Sequence, residues 1–308
     1  MTMAAGEEPS RGGAGGRRGR LLRGLSAVRA DNSIPFGPEL PEKPRDPPVG
    51  APAACPGTFS DMIERHLHGE VLLLRLAHGK ASALDLELLE ELTTAMDEFE
   101  ASDARALVLT GSGSIFSAGV DLKRLLEGGT GYIEAFLPAL NDALSRLLFS
   151  DRPLVTACNG HAIAGGCLIA CCGDRRLAAR GKARIGVPEL AVGVPFPPLA
   201  IELVRASVGE RNLQRALYDA TAYGVEDALE LGFVDELVDA EDLEERALSV
   251  AERLASVPPA SYAFTKRGVR AALRGPGLDP EKRAEALELW KSEAVHTALS
   301  DYVARTLG

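Results

Sequence analysis

From residue 70 onward, short apolar runs alternate with stretches whose apolar positions recur at helical spacing, and this alternation constrains the fold more than any other feature of the chain. Val71 to Ala77 is a mainly apolar run of strand length, interrupted only by Arg75, whereas Leu84, Leu88, Leu92, Met96 and Phe99 fall on one helical face. Two further runs, Ala106 to Thr110 (ALVLT) and Leu154 to Cys158 (LVTAC), read as strands that end in the glycine-bearing loops Gly111-Ser-Gly113 and Asn159-Gly160. Strands interleaved with helices predict an α/β layered fold whose loops at the strand ends carry the site. From Glu210 to Leu307 the pattern becomes helical throughout: Glu226 to Leu231, Ala240 to Ala255, Pro259 to Arg274 and Pro280 to Arg305.

The first 56 residues follow another rule. They hold 9 of the 19 prolines and 9 of the 32 glycines, a content at which an aperiodic segment does not build a core, and they are expected to form a disordered tail dispensable for catalysis. The tail has 8 basic and 6 acidic residues; residues 57–308 have 26 and 38, so the net charge of −10 divides into +2 in the tail and −12 in the folded part. That acidity argues against binding nucleic acid or anionic lipid through the body of the fold. Six arginines between positions 11 and 30 leave three readings of the tail open: a transit peptide, an RNA-binding arm or a solvated extension. No apolar stretch approaches the 18 or so residues of a membrane span, and no secretory signal opens the chain, so a cytoplasmic protein without a membrane partner is expected. Cys55, Cys158, Cys167, Cys171 and Cys172 form no C-x-x-C pair and no metal-ligand spacing; reduced, packed thiols and no metal are expected.

Three segments carry the chemistry. In Phe116-Ser-Ala-Gly119-Val-Asp121-Leu, glycine permits a sharp turn and Asp121 is placed to cap a helix, which turns the Val120 N–H outward; plain helix capping explains the same residues. In Asn159-Gly-His-Ala-Ile-Ala-Gly165-Gly166-Cys-Leu, a strand passes into a helix through adjacent glycines, where free N–H groups accept the approach of a ligand oxygen. In Arg184-Ile-Gly-Val-Pro-Glu189-Leu-Ala-Val-Gly193, one carboxylate stands among apolar residues that raise its pKa into the range of a usable base.

FSAGVDL (116–122), NGHAIAGGCLIA (159–170) and IGVPELAVG (185–193), in this order and spacing, resemble the crotonase (enoyl-CoA hydratase/isomerase) superfamily. The resemblance implies a spiral ββα core over 57–209, a helical oligomerisation region over 210–308, and a homotrimer or dimer of trimers. It further implies acyl-CoA thioesters as substrates, with no separate cofactor because coenzyme A is part of the substrate, and an oxyanion hole from the N–H groups of Val120 and Gly165. Hydratases of the family use two glutamates, and at the first of those positions this chain has Leu168. The GGCL spelling, and Lys80-Ala81-Ser-Ala83-Leu84 where many members have an asparagine, are similar to the Δ3,Δ2-enoyl-CoA isomerase branch, which needs one carboxylate to move a proton from C2 to C4. The further acid that dienoyl isomerases use is replaced by Pro197. By the same resemblance Ala81, Ala83, Ala118, Asp121 and Leu168 line the site, Phe136 bounds the acyl pocket, and Lys266 lies near the coenzyme's phosphates; a solvated helix lysine is the alternative. His161 is read either as a contact to the thioester or as a structural donor. A hydratase working with Glu189 alone, and a silent acyl-CoA-binding protein, remain as alternative functions.

Overall fold

The structure, a computed structural model, describes residues 62–306; the tail expected over residues 1–56 lies outside the described residues. The chain opens with a hairpin, β1 (Ile63–His68) and β2 (Val71–Leu76), whose antiparallel register runs from Ile63↔Leu76 to His68↔Val71. Its two-residue turn places Gly69 at φ +58°, the left-handed conformation that such a connection requires at its first position. After a short strand, β3 (Ala83–Leu84), Asp85 caps helix α1 (Leu86–Ala101) by accepting from the Leu88 N–H at 2.9 Å.

Three strand–strand–helix turns follow. Strands β4 (Ala106–Gly111) and β5 (Ile115–Ser117) lead through the two-residue β6 (Gly119–Val120) into α2 (Leu122–Phe149). Next come β7 (Leu154–Cys158) and β8 (His161–Ile163) with α3 (Gly165–Cys171), then β9 (Arg175–Ala179) and β10 (Arg184–Gly186) with α4 (Glu189–Val192). In each turn the first strand joins a large sheet and the second a small one. The large sheet, closed by a late strand β12 (Glu236–Val238), has the order β1-β2-β4-β7-β9-β12, and the small one, with β11 (Ala222–Gly224), has the order β11-β10-β8-β5. Displacement of each turn along both sheets produces the spiral ββα core expected from the sequence. Every residue of β4 and β7 is buried because both sheet faces are covered, which is why these strands are mainly apolar rather than alternating. Leu107, Leu109 and Leu154 pack with α1 and α2 on one face; Ala106, Val108, Val155 and Ala157 pack with α7 (Leu243–Ala255) on the other.

The last third departs from the all-helical expectation. Between α5 (Pro198–Tyr218), α6 (Val225–Leu231) and α7 it inserts β11, antiparallel to β10, and β12, parallel to β9. Three-residue strands at sheet edges have no period to detect, and their register is set by partners distant in sequence. Helix α8 (Pro259–Gly277) extends past the expected end, and the expected single helix from Pro280 is two: α9 (Pro280–Trp290) and α10 (Glu293–Thr306). Ser292 makes the break by capping α10, its Oγ accepting from the Val295 N–H at 3.3 Å. Helix α2 begins directly after its cap, Asp121, and is broken at Gly129 (φ +58°, ψ −151°). None of the described helices is long and apolar enough to cross a membrane.

Candidate active site

The candidate residues share one topological address. Val120, Gly165 and Glu189 each lie two or three residues past a small-sheet strand, where β5, β8 and β10 hand the chain to α2, α3 and α4. Adjacency of these strands in the sheet makes the three exits neighbours, although 69 residues separate the first site residue from the last.

At the first exit, β6 pairs in parallel with β3 (Ala83↔Gly119, Leu84↔Val120). The Ala118 N–H donates to Ala81 O at 2.9 Å and the Asp121 N–H to Leu84 O at 3.0 Å. Successive amides of a strand point to opposite sides, so the Val120 N–H turns away from β3. Ser117 fixes the turn: its Oγ donates to Ser82 O at 2.7 Å and accepts from the Gly119 N–H at 3.2 Å.

At the second exit, Ala164 precedes α3 with φ +50°, a conformation rarely adopted by residues with a side chain, and it offers α3 no side-chain cap. The first-turn N–H groups of α3, beginning with Gly165, are left for another acceptor. The two exits meet closely. A Cβ on Gly119 (φ +82°) would lie 2.5 Å from Ile163 O and 3.2 Å from Gly165 N, while one on Gly165 would lie 2.8 Å from the Leu84 side chain. Glycine is therefore required at both positions for the Val120 and Gly165 amides to share a neighbourhood. Ala81, Ala83 and Ala118 lie in or beside the same strand pair.

The third exit is tied to the second by the Ala164 N–H, which donates to Gly186 O at 2.9 Å. Three residues on, Glu189 opens α4, ended by Gly193 (φ +88°), where a Cβ would lie 2.5 Å from that of Ala298 on α10. The carboxylate is 7% exposed, and its Oε2 is buried without a hydrogen-bond partner. Burial pushes its pKa up to about 8, against a smaller lowering by a backbone hydrogen bond and with a further rise from Cys171 on α3. Leu168, one turn into α3 from Gly165, is buried and apolar, so no second carboxylate is supplied at this position. Cys158, Cys167, Cys171 and Cys172 are free, buried thiols; among the described residues no group of three or more His, Cys, Asp and Glu side chains is gathered in metal-binding fashion.

The match to known proteins follows the same segments. A model of enoyl-CoA hydratase/isomerase matches residues 67–298, which is most of the chain. The chain belongs to the enoyl-CoA hydratase/isomerase family. Enoyl-CoA delta isomerase 1, mitochondrial, of Mus musculus is 31% identical over 214 residues, covering 68% of this chain and 74% of the mouse protein. The short-chain-enoyl-CoA hydratase of Clostridium acetobutylicum is 28% identical over 209 residues, covering 67% of this chain and 80% of that protein. Among solved structures, human mitochondrial delta3-delta2-enoyl-CoA isomerase superposes with a TM-score of 0.76 at 25% identity, over 80% of this chain and 98% of the human one. The fold is therefore that of the crotonase superfamily, and family membership makes enoyl-CoA thioesters the substrate class.

Several expected site residues have other duties. Lys266 is not the solvated helix lysine of the alternative reading: it is buried, its Nζ donating to Asp174 Oδ2 at 2.7 Å and to Arg152 O at 2.8 Å, so its charge is paired inside the fold. Burial lowers its pKa, opposed by Asp174. His161 acts as a structural acceptor rather than a donor, its Nδ1 taking the Arg184 N–H at 3.1 Å. Asp121 is occupied in capping α2, accepting from the Lys123 and Arg124 N–H groups at 3.1 Å each. Phe136 is fully buried beyond the break in α2 and stacks on Tyr132 with centroids 5.9 Å apart. Sequence reasoning missed Ser117 and Ala164. For Ser117 a hydroxyl two residues before a turn glycine is an available signal; for Ala164 the sequence carries none, since alanine ordinarily avoids positive φ.

Proposed function

We propose that this protein is an enoyl-CoA isomerase that moves a C3=C4 double bond of an acyl-CoA thioester to C2=C3. The reading is carried by one observation, the buried carboxylate of Glu189, whose Oε2 has no hydrogen-bond partner, beside an exit cluster whose would-be second acid is Leu168. The thioester oxygen accepts hydrogen bonds from the Val120 and Gly165 N–H groups, which also acidifies C2. Glu189 takes a proton from C2, the electron pair delocalises onto the thioester oxygen on one side and through the C3=C4 bond onto C4 on the other, and the protonated Glu189 returns the proton to C4 as the C2=C3 bond forms. Each atom is conserved and no resident cofactor is required. A pKa of about 8 suits a group that must both accept and release a proton near neutral pH. Each oxyanion donor contributes about 2.7 to 4 kcal/mol to the transition state. Hydration instead needs a water held and deprotonated at C3, a task for which one carboxylate lacks a partner. The expected role of residues 210–308 in oligomerisation is supported by Phe264 and Val269, large apolar side chains on α8 that are 76% and 72% exposed.

The test is a comparison of initial rates on 3-enoyl-CoA and 2-enoyl-CoA of several chain lengths, followed by ultraviolet absorbance of the conjugated thioester. Isomerisation is expected to exceed hydration. Equal or faster hydration would make the protein a one-glutamate hydratase, and binding without turnover of either would make it a silent acyl-CoA binder.

A further inference from the structure

The strand pair that aims the Val120 amide is small. β3 and β6 share two residue pairs and belong to neither larger sheet, and a pair this short is marginal without support. One exit from it, through Asp85, enters α1; the other, through Asp121, enters α2. The second exit has its own anchor, separate from the rest of its helix. Gly129 interrupts α2 between Gly128 and Gly131, so residues 122–128, whose one fully buried side chain is Leu125, are divided from the half that packs into the core through Ile133, Phe136 and Leu140.

One side chain spans both exits and the break. Arg124 Nη1 donates to Asp85 Oδ2 at 2.9 Å and to Glu87 Oε2 at 2.6 Å, and its Nη2 donates to Glu87 Oε1 at 2.7 Å. The guanidinium also covers the Tyr132 ring, 5.6 Å from its centroid, and the Tyr132 hydroxyl accepts from the Leu86 N–H at 3.2 Å. Asp85 is buried and turns its Oδ2 to His78 Nε2 as well, at 2.7 Å, while His78 O accepts from the Ser82 N–H at 2.8 Å. The network thus ties α1, the loop carrying Ala81, the first turn of α2 and the segment beyond the break. Isolated surface ion pairs contribute little, but this one is bidentate on Glu87 and shares a buried carboxylate. We propose that Arg124, acting through Asp85, is a positioning residue that holds β6 against β3 and so fixes the direction of the Val120 N–H in the oxyanion hole. The proposal rests on the oxyanion-hole part of the function above and not on the reaction that follows.

The probe is butanoyl-CoA carrying ¹³C at the thioester carbonyl, a saturated ligand that can be neither isomerised nor hydrated. Infrared difference spectra read the downward shift of its carbonyl stretch on binding, which reports hydrogen bonding to that oxygen. Arg124→Ala is expected to lose at least half of the shift seen with wild type and, with 3-enoyl-CoA, to lower kcat about tenfold with KM changed less than threefold, since a misplaced catalytic group costs rate more than binding. Arg124→Lys should fall between the two. Arg146→Ala, which removes a comparably exposed arginine from the core-packed half of α2, should leave the shift unchanged. If Arg124→Ala does not fold, as judged by thermal melting, Arg124→Lys and Asp85→Asn carry the test through the same reduced shift. A full shift in folded Arg124 variants would overturn the proposal, as would a wild type that does not polarise the carbonyl. A wild type that polarises it without turning over 3-enoyl-CoA would end the isomerase reading and leave the positioning role standing.

Discussion

Replacing Glu189 by Gln should change the pH dependence of stability in a direction opposite to that of most carboxylates. In the folded protein the group titrates at about 8 rather than at the 4.5 of an exposed glutamate, because burial disfavours its charge. Between those values the unfolded chain has released the proton and the folded one retains it, so stability falls as pH rises; below about 4.5 the penalty is absent. At 1.36 kcal/mol per pH unit the full penalty is on the order of 5 kcal/mol, of which about 3 kcal/mol develops between pH 5.5 and 8. Glutamine preserves size and cannot ionise. Urea unfolding of both proteins at pH 5.5, 7 and 8 should give a wild type that weakens by about 3 kcal/mol relative to Glu189→Gln over that window. Other titrating groups act on both proteins alike and cancel in the difference. For the wild type, kcat/KM for 3-enoyl-CoA should rise about tenfold per pH unit and level off near pH 8, while the variant loses 100-fold or more of its turnover with thioester binding intact. Stability curves parallel within about 0.5 kcal/mol would refute the reasoning, because a carboxylate that titrates normally is neither desolvated nor poised as this base.

Three further outcomes are expected. Leu168→Glu should raise 2-enoyl-CoA hydration and lower isomerisation, both read by ultraviolet rates, at a stability cost of a few kcal/mol for a second buried acid near Glu189. Gly119→Ala forces a Cβ to 2.5 Å from Ile163 O at a positive φ, and turnover should fall at least 100-fold, with thioester binding measured calorimetrically to separate loss of the hole from loss of the fold. Lys266→Met should lower unfolding stability by about 2 kcal/mol, because Asp174 loses one charged partner and keeps Arg270, yet leave the Kd for coenzyme A within twofold; a tenfold weaker Kd at unchanged stability would return Lys266 to the phosphates.

The layered core was legible because burial on both faces leaves a plain mark: β4 and β7 are mainly apolar runs without polar alternation, each with one buried threonine, and α1 repeats leucines at helical spacing. Glu189, Val120 and Gly165 were legible for a related reason, since glycines where Cβ atoms cannot fit, and a lone acid among apolar neighbours, are departures from the local pattern. The burial of Lys266 was not legible because composition along a helix does not disclose a carboxylate 92 residues away. β11 and β12 were invisible for the same reason, as three residues acquire strand character only from their partners. The Arg124 network escaped notice because its members, His78, Asp85, Glu87 and Arg124, are ordinary surface types whose meaning arises when two helix starts are brought together.

The burial of Cys158, Cys167, Cys171 and Cys172, each no more than 1% exposed, gives the molecule an internal clock. These thiols lie on the end of β7 and along α3 and its end, so a water-soluble alkylating reagent reaches them only when that part of the core opens. With Cys55, which lies outside the described residues, replaced by serine, the rate of alkylation counts openings around α3 without any added label. Slowing of that rate by a bound thioester measures, in the same units, how much the ligand grips the element that carries Gly165.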